Sequence, residues 1–321
     1  MNAKIIGTGW QLPAYEADND YLSTLVETSD EWITERTGIR KRHLAKEETT
    51  TSLAAGAAKK ALADAGLPAE EIDLLIVATI TSDTVTPSTA CRVQAELGAV
   101  HAVAFDINAA CSGFLYAVHM ADAFIKSGVY RKALLIGAET LSKLVDWTDR
   151  GTCVLFGDGA GAAVLAASDQ GGIAAQSLGS NGSKWEVLSC MGRPNGNPVC
   201  REQREPGYLQ MNGQEVFKFA VKTVPLCIED ALEKAGLSPD DIDHFLLHQA
   251  NKRIIQSVAK RLKQPEEKFP MNIGQCANTS AASLPILLAQ MKEQGRLHPG
   301  EKLVLSGFGA GLTWGACVME W

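Results

Sequence analysis

The chain has 321 residues, 46% of them hydrophobic and 21% charged, with a formal net charge of −7. That length holds one large layered unit or two cores and leaves room for a buried catalytic site, and the composition has no disordered or collagen-like bias. The acidic balance argues against nucleic-acid binding as the main role, because phosphate binding needs a dominant basic surface, and leaves room only for a local basic patch.

The first residues enter an apolar strand and a Gly/Pro turn, with no signal-peptide core. No apolar stretch reaches the ~18–20 residues of a membrane span, so a cytoplasmic chain is expected. Residues 15–51 form a polar insertion with short-helix signals such as Thr28-Ser29-Asp30-Glu31-Trp32, the kind of segment that often carries a substrate site. Residues 61–78, ALADAGLPAEEIDLLIVA, combine an amphipathic helix end, a glycine stop, an acidic Pro turn and a buried strand.

The same succession returns 170 residues later as ALEKAGLSPDDIDHFLLH, and that offset also lays residues 108–113 over 278–283 and 132–137 over 302–307. Each half is predicted as strand, helix, strand, long helix, strand, which favours parallel sheets covered by helices, related by a pseudo-twofold axis. The halves are expected to span 1–170 and 171–321. Boundary loops are expected in the Gly-, Ser-, Asn- and Pro-rich stretch 168–215, which includes Pro194-Asn195-Gly196-Asn197-Pro198.

In FDINAACSG (105–113) an apolar strand gives way to small residues and then to a helix over 114–126, placing Cys111 at a strand-to-helix turn. Free N–H groups and the helix dipole there are predicted to lower the thiol pKa and activate the sulfur. Its counterpart in the second half is Ala281. The other seven cysteines (91, 153, 190, 200, 227, 276, 317) are expected to be reduced core residues, with no CxxC or His/Cys cluster to hold a metal. His248 ends the strand expected over 242–247, at the carboxyl edge where open α/β sheets place ligand groups, and its repeat partner is Ala78. Asn278 precedes the helix that mirrors the Cys111 helix; it suits an N-cap, a donor to a developing enolate oxygen, or both. SGFGAGLTWG (306–315) offers N–H groups for an oxyanion hole or a tight core turn, and FGDGAG (156–161) favours the second reading for at least one copy.

Together, Cys111 in NAACSG, His248 in HQANKRI, Asn278 in NTSAAS and the terminal GFGAGLTWG resemble the β-ketoacyl-[acyl-carrier-protein] synthase III family of the thiolase-like superfamily. The resemblance runs over essentially the whole chain, including Asp30-Glu31-Trp32-Ile33 and Arg36-Thr37-Gly38-Ile39. It implies a five-layered αβαβα fold, a homodimer, and no cofactor besides the acyl-CoA substrate. It also implies a ping-pong reaction in which Cys111 takes an acyl group from acyl-CoA. Malonyl-acyl-carrier protein then loses CO2 under His248 and Asn278, and the carbanion attacks the acyl-cysteine. The N–H groups of Cys111 and Ala310 would hold the oxyanion.

By the same resemblance Trp32 and Arg150 embrace the adenine of CoA, with Thr28 and Arg36 nearby and Gly213 and Asn251 along its arm. Carrier-protein docking falls to Lys218, Gln249, Arg253, Lys260 and Arg261. The run 251–263 holds five basic residues and no acidic one, which also suits a solvated helix face. A type III polyketide synthase shares a Cys/His/Asn set, and a non-catalytic acyl-CoA-binding protein is the reading from a different class. Two departures from the family stand out. Ala310 replaces a common Gly, so a positive φ there would be costly. Thr86 stands where some members place a Phe that closes the acyl pocket across the dimer. A roomier pocket is therefore expected, one that accepts primers longer or more branched than acetyl; a primer panel in which only acetyl-CoA reacts would refute this.

Overall fold

The computed structural model describes residues 2–195, 197–199 and 207–321. Strand β1 (Asn2–Gln11) opens the chain. The insertion follows as β2 (Tyr15–Asp18), α1 (Asn19–Ser23), α2 (Asp30–Thr37) and β3 (Lys41–Leu44), with β2 and β3 paired antiparallel. Ser29 starts α2 by accepting from the Trp32 N–H, and Gly38 stops it at φ 82°. The first half continues through α3 (Thr50–Ala65), β4 (Leu74–Ala78), α4 (Thr89–Leu97), β5 (Val103–Ile107), α5 (Gly113–Lys126), β6 (Lys132–Glu139), α6 (Arg150–Cys153) and β7 (Gly159–Ser168).

The second half comprises β8 (Gly172–Ser180), β9 (Leu188–Cys190), β10 (Leu209–Met211), α7 (Gly213–Ala235), β11 (His244–Leu247), α8 (Lys252–Leu262), α9 (Ile273–Cys276), α10 (Ser283–Glu293), β12 (Lys302–Gly309) and β13 (Thr313–Glu320). The stretch 168–215 is therefore more than connecting loop, since it holds β8, β9 and β10. Gly196 of its Pro/Gly run and Cys200 lie outside the described residues.

The 170-residue repeat is built into the backbone. One sheet has the order β1-β7-β6-β4-β5 and the other β8-β13-β12-β11, the same succession lacking its last member. Glycines stop α3 and α7 with matching left-handed caps, Gly66 at φ 66° and Gly236 at φ 68°. The sheets are mixed rather than parallel as expected: β4 runs parallel to β5 and β6, but β7 is antiparallel to β6 and β1. The second half also lacks its expected middle strand. The Asn272 and Ile273 N–H groups, which a ladder would use, donate instead to Gln249 Oε1 at 3.1 and 3.2 Å, and Pro270 has none to give.

Alternation along the strands produces five layers. Leu74 and Ile76 of β4 face a central cluster with Phe114 and Leu115 of α5 and Leu284 and Leu287 of α10, while Leu75 and Val77 face α3 and α4. In β12, Leu303 and Leu305 join the centre and Val304 faces α7 and α8. Strands buried on both faces explain the unbroken apolar runs. Small residues allow the layers to meet closely. A Cβ on Gly161 would lie 2.5 Å from the Ile286 nitrogen, and one on Gly137 would overlap the Ala281 carbonyl, so FGDGAG serves close packing.

Among the described residues no helix is long and apolar enough to cross a membrane. Gly137→Ala is expected to lose about 1–3 kcal/mol of stability through overpacking, measured as a lower midpoint of denaturant unfolding with an unchanged slope.

Candidate active site

Two 3₁₀ turns meet at the centre of the molecule. Ala110–Ser112 carries Cys111 into α5, Ser280–Ala282 leads into α10, and the turns pack against each other and against β6 and β12. Ala110 and Ser280, paired by the repeat, both have positive φ, 46° and 48°. This shared, strained geometry lets two helix starts approach closely. The Gly309 backbone closes over Cys111: a Cβ there would lie 2.7 Å from the Cys111 nitrogen.

Cys111, His248 and Asn278 line one pocket with Gly213, Asn251, Phe308 and Gly309. His248 follows β11, anchored by its N–H to the Ser306 carbonyl at 2.8 Å. Its ring stands edge-on to Phe308 at 5.6 Å, and its Nδ1 lies 2.6 Å from Ser283 Oγ. Burial pushes the imidazole down to about 3, so it is neutral at physiological pH. The Asn278 carboxamide oxygen accepts from the Ser280 N–H at 2.9 Å. Thr279 caps that turn and Ala282 caps α10, so Asn278 is not the N-cap expected; its side chain closes a local turn, which leaves the amide N–H groups to face the pocket.

The expected lowering of the Cys111 pKa is reversed. Burial raises the thiol to about 12, opposed by the nearby Ser280 hydroxyl and reinforced by the Glu139 charge. The helix start does not overcome the cost of an anion at a site only 9% exposed. A second, narrow cavity adjoins the sulfur and is lined by Ala110, Cys111, Ser280, Ala310 and apolar side chains including Ile80, Leu141, Phe156 and Leu209. Ala310 has no positive φ, so replacing Gly there carries no strain.

At the mouth, Trp32 meets both Arg36 (4.6 Å) and Arg150 (4.9 Å), whose guanidinium groups stand against the indole. Arg150 also donates to the Glu27 carbonyl at 2.8 Å, and Asn251 donates to the Arg36 carbonyl at 3.0 Å. Trp32 and Arg150 are thus in contact, and a flat ring enters between them only by displacing the guanidinium. The Thr28 hydroxyl is buried without a hydrogen-bond partner among the described residues. Thr86 lies on an exposed loop and lines neither cavity.

Arg253, Lys260 and Arg261 are exposed on α8, and Lys218 is exposed on α7, paired with Glu215 at 3.0 Å. Gln249 is not a docking residue. It is fully buried, with its amide bonded to the Leu247 carbonyl and to the Asn272 and Ile273 N–H groups. The expectation for the remaining cysteines needs amendment too: Cys91 is exposed and Cys190 half-buried, while 153, 227, 276 and 317 are in the core. Sequence reasoning missed Ser283, Ser280 and Glu139. At the 170-residue offset they face Gly113, Ala110 and Gly309, so comparing the halves for polar-versus-small pairs would have found them.

Models of the 3-oxoacyl-[acyl-carrier-protein] synthase III family match residues 105–182 and, for its C-terminal part, 232–321. A β-ketoacyl-[acyl-carrier-protein] synthase III of Clostridium perfringens is 51% identical, with 99% of each chain covered. The crystal structure of 3-oxoacyl-[acyl-carrier-protein] synthase III from Aquifex aeolicus VF5 superposes with a TM-score of 0.93 at 48% identity, covering 99% of this chain and 100% of that one. One from Thermus thermophilus gives 0.93 at 41%, with 99% of each covered. Nitrogen-resolved NMR of the imidazole is expected to show His248 neutral from about pH 4 upward, with its protonation near pH 3; a histidine left in water titrates near 6.5.

Proposed function

The chain belongs to the 3-oxoacyl-[acyl-carrier-protein] synthase III family, and from that premise we propose how its residues perform the family's reaction. It is a condensing acyltransferase that initiates fatty-acid synthesis, joining an acyl-CoA primer to malonyl-acyl-carrier protein with loss of CO2 and CoA. The observation that carries the assignment of roles is the convergence of Cys111, His248 and Asn278 on one pocket, with a second apolar cavity at the sulfur.

Cys111 Sγ attacks the primer thioester. The backbone N–H groups of Cys111 and Ala310 receive the oxyanion, CoA departs, and the acyl chain occupies the smaller cavity. Malonyl-acyl-carrier protein then enters the larger pocket. His248 and Asn278 donate to its thioester oxygen as CO2 leaves, stabilising the enolate whose carbon attacks the acyl-cysteine. A neutral imidazole serves this step only when Nδ1 accepts the Ser283 proton, leaving Nε2–H to face the substrate. Neutral donors suit a decarboxylation, because the departing carboxylate is not held back by a cation.

Outside the pocket, Trp32, Arg36, Arg150 and Thr28 hold the nucleotide end of CoA, and Gly213 and Asn251 flank its arm. The exposed cations Arg253, Lys260, Arg261 and Lys218 receive an acidic carrier protein. The working form is a cytoplasmic homodimer, and in each chain the halves 1–170 and 171–321 contribute nucleophile and enolate donors respectively. No resident cofactor or metal takes part.

Intact-protein mass after incubation with acetyl-, isobutyryl- and longer acyl-CoAs tests the reading. Wild type is expected to gain one acyl group and Cys111→Ala none. His248→Ala is expected to keep the mass gain but lose condensation with malonyl-acyl-carrier protein by at least about 10²-fold. No mass gain with any primer would exclude the acyl-enzyme.

A further inference from the structure

The condensation uses Cys111, His248 and Asn278, and leaves unexplained a carboxyl group buried behind them. Glu139, the last residue of β6, is fully buried. Its Oε2 accepts from Thr81 Oγ1 at 2.5 Å and Thr79 Oγ1 at 3.3 Å, and the Ile80 N–H donates at 3.2 Å. Among the described residues no cation pairs with it. A carboxylate this deep is costly to keep without a task.

Ser280 connects it to the nucleophile. Its turn packs against both β6 and the Cys111 turn, and it lines the smaller cavity with Cys111. The Ser280 hydroxyl is buried and has no partner at hydrogen-bonding geometry among the described residues, yet it is near enough to lower the pKa of both Cys111 and Glu139. A free hydroxyl between a proton donor and an acceptor is placed to turn and pass a proton.

We propose that Glu139, through Ser280, holds the proton that Cys111 gives up when it takes the acyl group; this rests on the acyl-enzyme reading above. The Sγ–C bond to the acyl carbon forms as the S–H bond breaks. That proton passes to Ser280 Oγ, whose own proton passes to the Glu139 carboxylate. The C–S bond to CoA breaks with its electron pair, and the CoA thiolate takes a proton from solvent. When condensation later expels Cys111 as a thiolate, the proton returns along the same path. One negative charge moves between sulfur and carboxylate, so the interior never gains a second.

Burial puts Glu139 up to about 7 and Cys111 up to about 12, with the Glu139 charge adding to the latter. The other ionisable groups nearby are His248, neutral in the larger pocket, and Lys143, bonded to the Thr81 carbonyl and paired with Asp83 at 3.6 Å; Asp158 is bonded to Ser142. Above about pH 7 the pair carries one charge, a fixed minor share of it on sulfur. Thiolate reactivity therefore rises through that pH and then levels off, until the thiol itself ionises.

The test is the pH dependence of Cys111 alkylation by iodoacetamide, followed by mass mapping, beside the rate of acetyl transfer from acetyl-CoA. Wild type is expected to show a step near neutrality and a plateau. Glu139→Gln is expected to lose the step, leaving reactivity proportional to hydroxide, and to slow acetyl transfer about 10²-fold. Return of the step in Glu139→Asp supports a proton-holding role over a purely structural one. A wild-type profile without a step overturns the proposal even if the variants do not fold, and so does a Gln variant that keeps both step and rate. The wild-type mass gain with acetyl-CoA checks the acyl-enzyme separately.

Discussion

Everything in this molecule depends on how closely two helix starts approach at its centre. Each helix, α5 and α10, begins from a 3₁₀ turn whose first residue has a positive φ, and the turns lie back to back between two sheets. Closeness demands small residues. Gly137 receives the Ala281 carbonyl, Gly113 faces Ala78, and Gly309 covers the Cys111 nitrogen. The layers above and below, with their unbroken Leu, Ile and Val runs, fix that approach, because each strand is packed on both faces and cannot shift without exposing one.

The same packing sets the chemical character of the site. Burial raises the Cys111 thiol and lowers the His248 imidazole, so the resting pocket holds neutral groups. Their effects on stability differ in sign. The unfolded chain protonates His248 between about pH 6.5 and 3, so stability due to this group falls as pH falls through that window. Glu139, raised to about 7, does the reverse: its stabilising share is complete below 4.5 and is lost as pH rises to 7. Acid therefore loosens the His248 side of the site and firms the Glu139 side.

Much of this was legible in the sequence because the fold repeats. One offset aligned helices, turns and strands, and departures from the alignment, Cys111 over Ala281 and Ala78 under His248, marked two residues that line one pocket. Other features were not legible for physical reasons. Strand direction depends on partners distant in sequence, so the antiparallel β1 and β7 were hidden. Gln249 sits between two pocket-lining residues, His248 and Asn251, yet its amide replaces a missing strand neighbour, which only three-dimensional hydrogen bonding reveals. The sign of the Cys111 shift was missed because a helix start is visible in sequence and the depth of burial is not.

The depth of the sulfur has one more consequence. Peroxide and electrophiles select thiols that are exposed and ionised, and Cys111 is mostly neither. A cell meets this protein between catalytic cycles as well as during them. The enclosure that raises the Cys111 thiol also removes the two features, exposure and ionisation, by which oxidants select a sulfur.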